Sequence, residues 1–349
     1  ELTRLQVRSH TFPMAKASVY DVAALAGVSI ATVSRTINQP HRVSEITRSR
    51  VMEAVNKLDY VPDFEAAARA RHHNDRIAVI CPLTEHSSFI QRLRGISLAV
   101  ADSQSELILF QMDAKKLSNP QNSKLIDTMA SSGRYDGIIV ISLPIENQDL
   151  TRIVDTHFPF VLFEVQDPRF PSIVLDNDAG AIIAVSHLIE RGYKNIGFVG
   201  YEPIDSYSID ASEARQKGYV ESMLRNGRVV NPENILITQY DIETARTAAR
   251  EFLAKNGHPD AVFCAADVVA LGVLKAAQDL KLRVPEDIAI VGFDNIEMAA
   301  YVEMTTVRQP LEGAGKEAVR LTIQLIKEPT SLMPPNYSVP FELIHRTTS

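Results

Sequence analysis

The residues best spaced to do chemistry lie in one stretch, V-Y-D-V-A-A-L-A-G-V-S-I-A-T-V-S-R-T-I-N, from Val19 to Asn38. It reads as two short helices joined by a tight turn. Asp21 can accept from free N–H groups near the start of the first helix, and Val22, Leu25 and Ala26 fall on one face at helical spacing. Gly27 suits a stop that needs a positive φ, Val28 drops into a small core, and Ser29 can cap the next helix. The second helix, Ile30 to Ile37, is expected to bury Val33 and Ile37 and to turn Ile30, Ala31, Thr32, Ser34 and Arg35 outward. An arginine can grip guanine O6 and N7 in the major groove, and small apolar side chains can meet a thymine methyl. Ile30, Ala31 and Arg35 are therefore expected to read bases. Thr32, Ser34 and Asn38 are expected to hold the backbone, with Tyr20 and Ser29 completing the DNA-facing set. The pattern is that of a helix-turn-helix. The plain alternative, a helical hairpin that binds nothing, disagrees with the turn chemistry and the short polar reading face.

Catalytic chemistry has no comparable pattern. The nine histidines show no metal spacing, and the adjacent pair His72-His73 cannot present both imidazoles on one helix face. There is no nucleophile elbow and no recognisable Ser/His/Asp set. The runs G-I-I-V-I-S and I-V-G-F-D-N lack the G-x-G-x-x-G of a dinucleotide loop. No enzyme, cofactor or metal is expected. Cys81 and Cys264 sit in apolar strand-like runs and read as reduced core residues.

A chain of 349 residues with 45% apolar content suggests two or three folded units with ample core. No run approaches a membrane span. The amino end has no apolar signal region, which makes the cytoplasm the default expectation. The net charge of −7 becomes informative when divided. Residues 1–74 hold ten Lys/Arg and seven Asp/Glu, a balance of +3, which leaves −10 on the remainder. A mildly basic head on an acidic body fits specific DNA binding by a small module, and argues against unselective coating of nucleic acid.

Residues 1–15 read as a flexible extension or an expression remnant, and 16–62 as the DNA-binding domain. Within it a third helix starts near Ser44 and Thr47 and buries Val51, Val55 and Leu58. Arg48, Arg50 and Lys57 stay outside, and Tyr60-Val61-Pro62 ends it. Residues 63–75 read as a short helix and linker. From residue 76 to 349, short apolar strands alternate with amphipathic helices in two successive series. Alternation of this kind builds parallel sheets covered by helices on both faces, hence two α/β lobes. Ligands of such folds bind beyond the carboxyl ends of the strands.

The segment Tyr20–Asn38, continued by V-S-E-I-T-R-S-R-V-M-E-A-V-N-K-L-D-Y-V-P (Val43–Pro62), resembles the signature of the lactose/galactose repressor family of bacterial transcription regulators. The resemblance extends more loosely to the end of the chain. It implies a helix-turn-helix domain, a hinge helix and a periplasmic-binding-protein-like core of two doubly wound parallel-sheet lobes with three crossovers. These are placed near Val165, Asn295 and Glu328, giving an N-lobe of about 76–164 and 295–327 and a C-lobe of about 165–294 and 328–349. It also implies a homodimer on a roughly palindromic operator. In the family a hinge leucine wedges into the minor groove; the position seven after Pro62 is Arg69, which could enter a narrow groove electrostatically but cannot act as an apolar wedge.

Strand ends should converge on the cleft between lobes. They supply Ser88 and Phe89, Ser142 and Leu143, Glu164, and Asp176. The resemblance adds Arg215 in S-E-A-R-Q-K-G-Y and Asp294 in V-G-F-D-N as ligand-binding residues. A carboxylate accepts from adjacent hydroxyls, a guanidinium offers a planar fork of donors, and Phe89 or Phe293 can pack on a sugar's C–H face. A sugar-like effector is the expectation. Duller readings stand beside it. Arg215 and Asp294 can pair as a bridge between lobes, Phe293 can be core, and Ser87, Ser88, Asp176 and Asp267 can be helix caps. Dimer contacts are expected from Ile90, Leu93, Arg94 and Ser97 and from Leu271, Leu274 and Gln278. The absence of a leucine-heptad tail favours a dimer over a tetramer. Competing readings are a regulator that answers to a sugar phosphate or partner protein, and a transporter's solute-binding protein.

Overall fold

The computed structural model describes residues 17–38, 40–60, 76–82, 86–112, 120–143, 153–203, 211–255, 257–329 and 336–349. The chain divides into two compact units, Glu1–His72 and His73–Ser349. The hinge expectation, Arg69 included, lies outside the described residues.

The first unit contains α1 (Val19–Ala26), α2 (Ile30–Asn38), a 3-10 turn (Pro40–Arg42) and α3 (Glu45–Lys57). Ser18 and Asp21 form a reciprocal capping box: the Asp21 carboxylate accepts from the Ser18 N–H at 2.8 Å, and the Ser18 hydroxyl accepts from the Asp21 N–H at 3.4 Å. Gly27 ends α1 at φ 63, a conformation that costs a side chain its Cβ clearance. Ser44 caps α3 by accepting from the Thr47 N–H. The small core joins Val22, Ala23 and Ala26 of α1 to Val33 of α2 and to Val51 and Ala54 of α3. Leu25, expected inside, is 47% exposed; Ala23 replaces it. Val22, Ala23 and Ala26 make up the face of α1 that packs on Val33, Val51 and Ala54, and position 25 lies outside it. Ile37 is only half-buried, while Thr36 is buried with its hydroxyl donated to the Thr32 carbonyl at 2.8 Å.

The second unit follows the alternation closely. Its elements are β1 (Arg76–Pro82), α4 (Ser87–Asp102), β2 (Glu106–Met112), α5 (Pro120–Ser131), β3 (Gly137–Ile141), β4 (Phe160–Phe163) and β5 (Ser172–Val174). Then come α6 (Asn177–Glu190), β6 (Ile196–Tyr201), α7 (Ala211–Arg225), β7 (Ile235–Thr238), α8 (Ile242–Leu253), β8 (Ala261–Cys264), α9 (Asp267–Asp279) and β9 (Ala289–Asp294). The chain closes with α10 (Glu297–Tyr301), β10 (Thr305–Arg308), α11 (Leu311–Lys327), β11 (Asn336–Ser338) and β12 (Glu342–Ile344). One six-stranded sheet runs β11-β5-β4-β3-β1-β2 and is parallel throughout; the other runs β12-β10-β9-β8-β6-β7, with only β12 antiparallel.

Strand alternation divides the N-lobe core in two. Ile77, Val79 and Cys81 of β1 face one cluster with α4 and α11, while Ala78 and Ile80 face the other with α5. The α4 and α11 backbones meet through facing glycines: a Cβ on Gly95 would stand 2.0 Å from the Glu312 carbonyl oxygen, and one on Gly315 2.4 Å from that of Arg92. Both cysteines are buried and free.

The crossovers fall later than expected. β5 still pairs with β4, β10 pairs with β9, and β11 returns to pair with β5. The chain therefore changes lobes between Val174 and Asn177, between Arg308 and Leu311, and between Ser338 and Glu342, not near Val165, Asn295 and Glu328. The strands concerned have three or four residues, too few for an apolar pattern to assign them to a lobe.

Candidate functional sites: a reading helix and an interlobe cleft

On the first unit, α2 presents Ile30, Ala31, Ser34 and Arg35 to solvent, with Thr32 half-buried. Ser29 caps α2 by accepting from the Thr32 N–H at 3.2 Å. Ile30 is 40% exposed and Tyr20 of α1 is 69% exposed. The side chain of Asn38 lies outside the described residues.

In the second unit a cavity of about 560 Å³ opens between the lobes at the strand carboxyl ends, within the size range of small-molecule sites. Of the expected residues, Ser88, Glu164, Asp176, Arg215 and Asp294 line it. Asp176 also caps α6, accepting from the Ala179 N–H at 3.0 Å. Phe89 and Leu143 do not line it; each is buried in an N-lobe core cluster, because the strand ends and the first turn of α4 point these two side chains under the adjacent helices. Ser142 is wholly buried and donates its hydroxyl to Glu164. Phe293 is core, yet it carries the site: the Arg215 guanidinium lies 3.9 Å from its ring centroid.

The C-lobe wall centres on Arg215. Its Nε donates to Asn177 Oδ1 at 2.9 Å, its Nη1 donates to the Ala265 carbonyl, and Nη1 stands 3.6 Å from Asp294 Oδ1. Arg215 rises from α7 and Asp294 ends β9, so the pair lies within one lobe and does not bridge the two. Gln309, at the second crossover, donates to Asp294. Burial pushes the Asp294 carboxyl above the usual carboxylate range, opposed by the Arg215 charge. Beneath it Asp267 accepts from the Ile296 N–H at 2.8 Å and the Thr306 hydroxyl at 2.6 Å, and so pins the turn that holds Asp294. Burial, helped by the Asp294 charge, raises the Asp267 carboxyl to about 8. Asp267, read as a possible cap, is thus a brace for the site.

The N-lobe wall centres on a buried ion pair between Arg92 of α4 and Glu164. Three polar residues at strand ends adopt left-handed backbone: Ser142 at φ 51, Glu164 at φ 64 and Asn295 at φ 57; Asp294 has φ 116. Non-glycine residues held this way cost about 1 kcal/mol or more each and gather where side chains are aimed for function. Two lining contributions came without a sequence signal: Asn336 and Ser338 arrive on the short β11. A third had one. Arg92 follows Ser88 by four residues on a helix, which puts both on one face. Tyr240, after β7, meets His86 of the N-lobe edge-on at 4.5 Å and Tyr201 at 4.9 Å, so aromatic rings close one end of the cleft.

A ligand cleft between two parallel-sheet lobes, on a chain that also carries a helix-turn-helix, defines a ligand-responsive transcription regulator. Comparison with known proteins agrees. Residues 18–63 match the family model for bacterial regulatory proteins of the lacI family, and residues 185–349 match a periplasmic binding protein-like domain. The HTH-type transcriptional regulator RegA of Clostridium saccharobutylicum is 30% identical across 95% of this chain and 99% of its own. Among solved structures, the Lac repressor dimer bound to operator and the anti-inducer ONPF is 25% identical with a TM-score of 0.77, covering 95% of this chain and 98% of that one. The CelR–cellobiose complex is 27% identical with a TM-score of 0.65, covering 95% of this chain and 100% of that one. The chain belongs to the lacI family of bacterial transcription regulators. It is a DNA-binding regulator and not an enzyme, and the solute-binding-protein reading falls away.

Proposed function

We propose that the protein is a repressor of carbohydrate-related genes that binds a roughly palindromic operator as a homodimer and answers to a sugar or sugar derivative in the interlobe cleft. The observation that carries the effector class is the make-up of the cleft. Guanidinium–carboxylate pairs on both walls offer donors and acceptors side by side, which suits vicinal hydroxyls, and Tyr201 and Tyr240 supply apolar faces for ring C–H groups. The similarity to a regulator solved with cellobiose supports the same reading.

The DNA contacts follow from α2. Ile30, Ala31 and Arg35 read base edges; Tyr20, Ser29, Thr32, Ser34 and Asn38 hold the backbone. One such helix reads only a few base pairs, so a second copy is needed for tight specificity. Ile90, Arg94 and Ser97 on α4 and Gln278 on α9 are exposed, while Leu93, Leu271 and Leu274 are half-covered, which leaves both stripes available to a partner copy. Ligand binding changes the lobe angle, and operator affinity follows by the difference in ligand affinity between the two states, typically about 1–3 kcal/mol. Selection from a random oligonucleotide pool, followed by calorimetry with neutral sugars, tests the reading. A purified protein that enriches no sequence, with or without sugars present, would refute it.

A further inference from the structure

We propose that Glu164 fixes the charge class of the effector, making the cleft receptive to neutral polyhydroxyl ligands and closed to anionic ones. This rests on the carbohydrate reading above and adds to it a residue and a rule of exclusion. Arg92 and Arg215 face the cavity from opposite lobes, with side chains only 6% and 4% exposed. Two desolvated guanidinium groups in one cleft form a clamp for a carboxylate or phosphate, the oxyanions whose geometry matches the guanidinium fork. In this protein the clamp is already occupied on the N-lobe side by a carboxylate of the chain itself. Glu164 pairs with Arg92 and takes the Ser142 hydroxyl on its other oxygen. Both Glu164 and Ser142 sit in left-handed backbone, and both are anchored there: the Glu164 N–H donates to the Ile173 carbonyl at 2.8 Å and the Ser142 N–H to the Phe163 carbonyl at 2.9 Å. The carboxylate is thus held over Arg92 by the ends of two strands.

The charges on the walls complete the argument. Among the described residues of the wall, Arg92 and Arg215 stand against Glu164, Asp176, Asp178 and Asp294; Asp178 is paired with Lys217 at 2.7 Å, and Asp294 feels both Arg92 and Glu164 from across the cleft. With the Asp178–Lys217 pair set aside, three carboxylates face two guanidinium groups on the described wall, an acidic excess. An incoming oxyanion would have to displace Glu164 into a low-dielectric cleft that is already acidic, whereas a hydroxyl can accept from a guanidinium and donate to a carboxylate without displacing either.

Thermal shift and titration calorimetry on the full chain test this with D-glucose, D-glucuronate, D-glucose 6-phosphate and inorganic phosphate as probes. The unmodified protein is expected to bind none of the three anions more tightly than D-glucose, and to gain no stability from inorganic phosphate. Glu164→Gln should bind D-glucuronate or inorganic phosphate at least about tenfold more tightly than the unmodified protein does. The double variant Arg92→Gln/Glu164→Gln should lose that gain, because the guanidinium is gone. The proposal is overturned if the unmodified protein prefers an anionic probe, or if folded Glu164→Gln acquires no anion affinity. Should Glu164→Gln fail to fold, the comparison of D-glucose with D-glucuronate on the unmodified protein still decides. If no neutral sugar bound at all, the carbohydrate reading would suffer, while inorganic phosphate on Glu164→Gln would still judge the role of Glu164.

Discussion

At the scale of single residues, two side chains make distinct demands on experiment. Arg35 stands exposed on α2, where its fork can reach a guanine edge. Arg35→Ala is expected to weaken operator binding by about 1–3 kcal/mol and to leave non-specific binding nearly unchanged. Fluorescence anisotropy on specific and scrambled duplexes measures both; equal losses would make Arg35 a phosphate anchor. His187 makes a prediction about pH. Its Nε2 meets the Ser349 hydroxyl at 2.9 Å, and His345 lies 5.4 Å away, ring to ring. Burial, then the His345 and Arg191 charges, hold the His187 imidazole below its ordinary value, with Glu190 opposing weakly. The unfolded chain therefore binds this proton more readily than the folded one. The stability His187 contributes is present above about pH 6.5 and drains away as pH falls below it. Melting temperature followed from pH 7.5 to about 5.5 should fall less steeply in His187→Gln than in the parent; parallel curves would show that His187 is not the group responsible.

At the scale of elements, the glycine contact between α4 and α11 is the most exacting feature. A methyl on Gly95 meets backbone, which cannot swing aside as a side chain can. Gly95→Ala should destabilise the second unit by about 1–3 kcal/mol and shift Arg92 in the cleft, so that denaturation and sugar affinity suffer together. Unchanged stability would mean that the two helices separate at little cost. The same elements show what a sequence can reveal. Strands of four to seven residues with solid apolar character, such as Ile77–Cys81 and Ala261–Cys264, and helices with capping residues, such as Ser44 and Asp176, were legible because local chemistry alone specifies them. The short strands β5, β10 and β11 have three or four residues each, too few to carry a period of their own. That is why the lobe crossovers and the contribution of Asn336 and Ser338 were hidden. Arg92 had a signal in its four-residue spacing from Ser88, but a charged residue on an amphipathic helix reads as solvated until its burial and its partner Glu164 are seen.

At the scale of the whole molecule, the uneven charge separates the two tasks. The head-side segment is basic and the remainder acidic. Operator binding should therefore fall steeply as salt rises, by a log–log slope near the number of phosphates engaged, while sugar binding in the cleft should change little. A salt titration of both on one preparation checks this, and a flat DNA response would be incompatible with Lys/Arg–phosphate contacts. The family to which the chain belongs was legible in the first helix pair alone. A sugar-like effector was expected from Arg215 and Asp294, but the pairing of charges on the two walls was not legible, because it depends on residues as far apart in sequence as Arg92 and Asp294.

The last described residues have a consequence for synthesis. The Thr348 carbonyl accepts from the Ile290 N–H, its hydroxyl donates back to Ile290, and β12 completes the edge of the C-lobe sheet. The C-lobe sheet thus takes its edge strand from residues 342–344 and a further tie from Thr348, whereas the three-helix head is finished by residue 60. The DNA-reading end is therefore synthesised in full about 280 residues before the strand that completes the sensor's second sheet, so a chain cut short of β12 is expected to keep the first and lack part of the second.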